Sequence, residues 1–250
     1  MTISCDREDL VTLVERMEHL VEHMHAQQRQ FITDASHELG TPLASLRLQL
    51  EEARMHPGQT DLGELIHHAL REVDRIQDIV GNLLMLARLD AGTEDAPGQI
   101  EMAGFVEGLV GERPHGLPVH LDLEEGLVVG GAAGTLARLL GNLLDNAERH
   151  AKSAVRVSVS GEEDEVVVTV DDDGPGIPVL DRERVFDHFT RIDSARSRHQ
   201  GGTGLGLPIA LAIAQAHGGT LIAQESAMGG AQLVLRLPLL QASATDKEAA

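Results

Sequence analysis

S-H-E-L-G-T-P-L, from Ser36 to Leu43, sits inside a long amphipathic stretch and decides how the first part of the chain is read. Leu39, Leu43, Leu46, Leu50 and Ala53 recur at three- and four-residue steps, the spacing of one helix face. His37 stands on that helix with a carboxylate beside it, Glu38, and Pro42 five positions on. A neutral imidazole nitrogen is a good nucleophile, and the reference pKa of histidine keeps much of it neutral near pH 7. A neighbouring carboxylate can hold one ring nitrogen protonated and leave the other free to attack. Proline removes a helix hydrogen bond, so the helix can bend next to this group. In a chain with 13 histidines, a solvated surface residue is the alternative for His37 alone.

Working outward, Leu10, Val14, Met17, Val21, Met24 and Phe31 continue the pattern towards the N-terminus as a coiled-coil seam. Towards the C-terminus the helix breaks at His56-Pro57-Gly58, a short helix–helix turn. A second helix is expected from about Leu62 to Leu89, stopped by Ala91-Gly92, with Thr93 to Gly98 as a linker. Two long helices with one apolar stripe each cannot bury those stripes well alone, whereas a homodimer forming a four-helix bundle can.

Beyond residue 98 the pattern alternates between helix and strand. Strands are expected at Val119–Leu123, Val155–Val159, Val166–Val170, Thr220–Gln224 and Ala231–Leu237, and a helix at Thr135–His150. The acidic turn Gly161 to Asp164 marks a hairpin. The fold class is therefore α plus α/β: a helical hairpin, then a two-layer sandwich of helices on a mixed, largely antiparallel sheet.

Composition narrows the function. Hydrophobic residues make up 42% but aromatics only 2%, so the core must be aliphatic. The net charge of −20 argues against nucleic acid or an anionic membrane surface as partner. A single cysteine, Cys5, excludes an internal disulfide and fits a reducing compartment. No run of about 18 apolar residues exists, and the N-terminus lacks a signal-peptide core. A cytoplasmic location is expected.

Four motifs follow in order. In N-L-L-D-N-A-E-R-H, Asn142 and Asn146 lie four apart and share a helix face. Their amides can hold a hydrated Mg²⁺, and Arg149, one turn on, can reach a phosphate; an amphipathic helix whose asparagines merely face water is the alternative. In D-D-G-P-G-I-P, Asp172 can accept the exocyclic amine of adenine while Gly174 and Gly176 let backbone approach the base; ordinary turn chemistry is the alternative. V-F-D-H-F-T-R-I-D, Val185 to Asp193, holds two of only four phenylalanines, an apolar pair suited to anchoring a mobile loop or to a core. In G-G-T-G-L-G-L-P-I-A, Gly202, Gly204 and Gly206 precede a helix near Leu207, an arrangement that suits an anion. The strand-then-helix order of a dinucleotide fold is missing, which excludes that reading.

The order of these motifs, from about residue 28 to 238, resembles the sensor histidine kinases of bacterial two-component systems. The resemblance implies a helical signalling linker at 1–29, a dimerisation and histidine phosphotransfer domain at 30–92, a linker at 93–98, a catalytic ATP-binding domain at 99–240 and a disordered tail at 241–250. It implies ATP and Mg²⁺ as cofactors and a response regulator receiver domain as partner. His37 would accept the γ-phosphoryl group, with Glu38 orienting or deprotonating it. Asn146 would ligate Mg²⁺ with help from Asn142, while Arg149 and His150 take positions that contact phosphate. Asp172 would bind adenine, shaped by Gly174 and Gly176, under a lid containing Gly202, Gly204 and Gly206. Arg149, Lys152, Arg191 and Arg198 are the candidate cations for phosphate. H-E-x-x-T also resembles the family's phosphatase signature, with Thr41 aligning a water; a hydroxyl bonded to a backbone carbonyl one turn back is the alternative.

The chain departs from the family at three places. Gly40 stands where a basic residue is usual and costs about 1 kcal/mol of helix propensity. Pro208 replaces a small residue in a first helical turn, where N–H groups are unpaired anyway. Gly131 to Gly134 lack the usual acidic residue. Two other classes compete: a nucleotide-binding pseudokinase scaffold, and a gyrase-like ATPase, for which a catalytic glutamate would be expected where Asn142 stands.

Overall fold

The structure, a computed structural model, describes residues 7–58, 61–90, 98–113, 116–190 and 204–240. The chain divides into two compact units, Met1–Ile79 and Val80–Ala250.

The first unit holds α1 (Arg7–Met55) and most of α2 (Leu62–Asp90). Helix α1 runs unbroken through Pro42. The proline has no N–H, so the Glu38 carbonyl loses its usual donor. The turn falls at His56–Gly58 as the sequence predicts, and Asp61 then caps α2: its Oδ1 accepts from Gly63 N at 2.8 Å and Glu64 N at 3.1 Å. Aspartate at the cap with glutamate three residues on is a capping-box spacing. Buried side chains are few in the described part of this unit (Ala35, Pro42, Ile79). Apolar residues at helical spacing stay wet: Leu43, Leu50, Ile66 and Leu70 are each about half exposed. The seam from Leu10 to Met24 falls on α1, but its side chains lie outside the described residues.

The second unit is built on a five-stranded sheet in the order β2-β4-β5-β7-β6. The strands are β2 (Val119–Leu123), β4 (Val155–Glu162), β5 (Glu165–Asp172), β6 (Thr220–Glu225) and β7 (Ala231–Pro238). Strand β2 runs parallel to β4 and every other pair is antiparallel. A two-residue turn closes the β4–β5 hairpin, with Glu163 at φ 49°. Val155, Val157, Val159, Val166, Val168, Val170, Leu233, Leu235 and Leu237 alternate onto one face and are almost fully buried there. Helices α4 (Ala133–His150) and α5 (Gly206–Ala216) cover that face. Their own stripes, Leu136, Leu139, Leu143 and Ala147 on α4 and Ile209, Ile213 and Ala214 on α5, complete an aliphatic core.

Among the described strands and α-helices, three were not expected from the sequence. Strand β1 (Gly98–Glu101) pairs antiparallel with β3 (Val128–Gly131), and helix α3 (Met102–Gly111) follows β1 directly. Gly98, expected to end the linker, is thus the first residue of a strand; residues 91–97 and the tail from 241 lie outside the described residues. Helix α4 begins two residues earlier than its apolar stripe predicts, and α5 one residue earlier. No described helix is long and apolar enough to cross a membrane.

Candidate functional site

Strand β5 ends in Asp171 and Asp172, with Asp173 directly after it, and each meets a different surrounding. Asp172 follows Val166, Val168 and Val170 onto the helix-covered face, where it is only 2% exposed. Its Oδ1 accepts from Gly174 N at 2.8 Å and from Ala231 N at 3.2 Å. Both bonds fall on one oxygen, which leaves Oδ2 outside them. Burial pushes this carboxyl above its ordinary range, opposed by the two backbone N–H groups and by His150. Such a group gains by meeting a donor that compensates for lost water.

Small residues crowd around Asp172 because nothing larger fits. A Cβ on Gly174 would lie 2.3 Å from the His150 carbonyl oxygen, and one on Gly230 would lie 2.3 Å from Asp172 Oδ1. Gly176 has φ 73° and approaches the Gly230 carbonyl, so the turn after β5 and the turn before β7 meet backbone to backbone. Gly230 did not stand out in the sequence; its only signal was the Gly229-Gly230 pair between two strands.

Asp173 has a separate task. It accepts from Lys152 N at 2.7 Å, Ser153 N at 3.0 Å and Ser153 Oγ at 2.5 Å, pinning the end of α4 to the end of β5. Those donors hold its carboxyl far below the usual carboxylate range, the Ser153 hydroxyl first. Lys152 Nζ donates to the Gly174 carbonyl at 3.3 Å.

Asn142 and Asn146 share the half-buried face of α4, while Asp145 between them turns away and pairs with Arg113. Asn142 lies beside Gly206, the first residue of α5, its Cβ, Cγ and Oδ1 each 3.8 Å from where a Gly206 Cβ would stand. Its Nδ2 is buried and has no hydrogen-bond partner. An amide nitrogen donates and cannot ligate a cation, so this atom suits a phosphate oxygen, while the amide oxygens of the pair suit a hard cation. The α5 N-terminus has no side-chain cap, since its N-cap residue is Leu205; its first N–H groups can therefore face an anion. Pro208 is buried in that first turn without breaking the helix.

The phenylalanine motif and the glycine-rich motif meet at Phe189 and Gly204. Phe189 N donates to the Gly204 carbonyl at 2.9 Å, and a Cβ on Gly204, which has φ 68°, would lie 2.8 Å from Phe189 Cα. Gly202, Arg191 and Arg198 lie outside the described residues. Arg149 and His150 end α4, both exposed.

On α1, His37 is exposed. Glu38 Oε2 lies 3.6 Å from Arg75 Nη2 on α2, an ion pair longer than a hydrogen bond. Thr41 Oγ1 donates to the His37 carbonyl at 3.1 Å, so the back-bonded alternative is the one observed for that hydroxyl. A Cβ on Gly40 would meet nothing within 4 Å.

Comparison with known proteins divides the chain at the same place as its chemistry. Residues 27–92 match the His Kinase A (phospho-acceptor) domain, and residues 131–241 match the histidine kinase-, DNA gyrase B- and HSP90-like ATPase. The probable sensor histidine kinase TcrY of Mycobacterium tuberculosis is 37% identical over 89% of this chain and 50% of its own length. The signal transduction histidine-protein kinase AfsQ2 of Streptomyces coelicolor is 38% identical over 84% of this chain and 42% of its own. The sensor histidine kinase CpxA of Escherichia coli is 34% identical over 94% and 50%. The chain thus spans about half the length of these relatives. Among solved structures, the Acinetobacter baumannii histidine kinase AdeS shares the fold, with a TM-score of 0.66 and 22% identity over 82% of this chain and 98% of that one.

Proposed function

Because the chain belongs to the two-component sensor histidine kinases, we propose that it is an ATP-dependent histidine autokinase that phosphorylates His37 and passes the phosphoryl group to an aspartate of a response regulator. The observation that carries this reading is Asp172: one carboxylate oxygen is committed to the fold, the group is buried, and its setting favours a donor such as the adenine amine. Gly174 and Gly176 admit the base beside it. Asn142 Nδ2 and the uncapped α5 N-terminus face the phosphates, with Gly206 opening that helix and Gly204 two residues before it.

Asn146, with Asn142, would hold Mg²⁺, which would supply charge neutralisation at the phosphate oxygens. A ring nitrogen of His37 then attacks the γ-phosphorus. The N–P bond forms as the bond from phosphorus to the ADP oxygen breaks, and ADP leaves with the electron pair. Positioning and charge neutralisation supply most of the rate. Glu38 is turned to Arg75 in this conformation, so its assistance to His37 requires that pair to part. Thr41 serves an opposing phosphatase activity by aligning the water that hydrolyses the regulator's phospho-aspartate to aspartate and phosphate, for which its hydroxyl must exchange the His37 carbonyl for that water.

The half-exposed leucines and isoleucine of α1 and α2 are the surface on which a second copy completes a four-helix bundle. The receiver domain of a response regulator is the downstream partner, and any membrane attachment comes from a sensor segment outside these residues.

The test is transfer from γ-labelled ATP. Acid-labile, base-stable label on the protein is expected, lost in His37→Gln with ATP affinity unchanged within about twofold. Free phosphate alone would make the chain an ATPase, and stable label on His37→Gln would move the acceptor to another histidine.

A further inference from the structure

Asp171 lies next to Asp172 but points to the opposite face of the sheet, away from the proposed base site. It is 6% exposed and takes no part in the reactions above. Ser226 Oγ donates to its Oδ1 at 2.7 Å, and Gln232 Nε2 reaches the two oxygens at 3.1 and 3.3 Å. Thr169 Oγ1 lies 3.2 Å from Oδ2. Ser226 is the first residue of the turn between β6 and β7, and Gln232, the second residue of β7, stands opposite Asp171 in the ladder just after that turn. Within that turn Ser226 Oγ accepts from Met228 N at 3.0 Å, Ser226 N donates to the Gly230 carbonyl at 2.9 Å, and Gly229 N donates to the Ser226 carbonyl at 2.9 Å. The same turn presents Gly230, which leaves no room for a side chain beside Asp172, and Ala231, whose N–H grips Asp172 Oδ1.

We propose that Asp171 is a positioning residue for base recognition: through Ser226 and Gln232 it clamps the β6–β7 turn against Asp172 and so fixes the carboxylate that selects the purine. The inference rests on Asp172 being the adenine acceptor. Asp171 ties the first residue of the turn that touches the recognition group, Ser226, to the sheet pair it forms with Gln232. Ser226, 4% exposed, directs its hydroxyl proton to Asp171 while its oxygen accepts from Met228 N within the turn.

The experiment titrates the purified chain with ATP and with purine riboside triphosphate, which lacks the 6-amino group, and records the unfolding midpoint of each variant. The wild-type protein prefers ATP. Asp172→Asn abolishes that preference; if it does not, the reading of Asp172 is wrong, which is a separate failure. Ser226→Ala is expected to weaken ATP about tenfold, the scale of one hydrogen bond involving a charged group. Its affinity for the amine-free analogue stays within about twofold of wild type, and Ser226→Thr restores the preference. Gln232→Ala, at a half-buried site, gives the same pattern more weakly and stands in if Ser226→Ala does not fold. Equal weakening of both nucleotides, or a retained preference for ATP in Ser226→Ala, would overturn the proposal.

Discussion

The two units solve burial in opposite ways. In the sheet unit Val155, Val166, Val168, Leu235 and Ile213 are wholly enclosed, and even its buried aspartates have donors. In the helical unit Leu43, Leu50, Ile66 and Leu70 remain about half in water, and the proposed nucleophile is exposed. A rigid pocket can select a nucleotide only if its walls are finished before the ligand arrives. A phospho-acceptor must be reached by more than one partner, so it belongs on an open surface.

The largest effect tests the finished half. Asn146→Ala should abolish Mg²⁺-dependent labelling, whereas Asp172→Asn should weaken ATP by about tenfold or more through the lost base contact. Normal Mg²⁺-dependent turnover in Asn146→Ala would remove the metal assignment. Next comes the open half: Thr41→Ala should keep autokinase activity but lose dephosphorylation of its cognate phosphorylated regulator. An unchanged regulator half-life, measured with ADP and Mg²⁺, would leave a kinase alone and make the bond to the His37 carbonyl the whole role of Thr41.

A third experiment attacks the contrast directly. Ile66→Glu puts a charge on the unburied face, and two copies of it in a dimer should raise the dissociation constant about a hundredfold or more, from roughly 1.5–3 kcal/mol lost per buried isoleucine. Sedimentation showing an unchanged dimer would place the interface elsewhere. The smallest effect is Gly40→Ala. Because a Cβ there meets nothing, it should stabilise α1 by about 1 kcal/mol in denaturant unfolding. Destabilisation would show that the glycine is needed for a bend at Pro42.

Long periodic elements were legible in the sequence because their burial is one-sided. The strand expected at Val119–Leu123 is observed there, and α2 extends one residue past the expected Leu89. Helix α3 was hidden because Gly104, Gly108 and Gly111 dilute its pattern. It is held instead by Glu101, which accepts from Gly104 N at 2.7 Å and from Gly126 N at 3.0 Å across the fold. Strands β1 and β3, four residues each, are too short to show a period. In the site, Asp172 and its glycines were readable as turn chemistry at a strand end. Asp171, Asp173 and Gly230 were not, since their partners Ser226, Ser153 and Asp172 are brought to them only by the sheet. The Glu38–Arg75 pair joins two helices and has no local signature either.

Three consecutive aspartates invite a misfolding error. Were β5 to slip by one residue in either direction, an aspartate, Asp171 or Asp173, would still stand at the recognition position. The chemistry of the pocket therefore cannot reject the slipped state. Rejection falls to the residues before it: a slip replaces valine with Thr169 in the core, together with Glu165 in one direction or a second aspartate in the other. Unpaired polar groups in that setting each cost several kcal/mol. The valine alternation of β5 thus acts as a proofreading device, protecting a site that its own charged residues could not tell from its near copies.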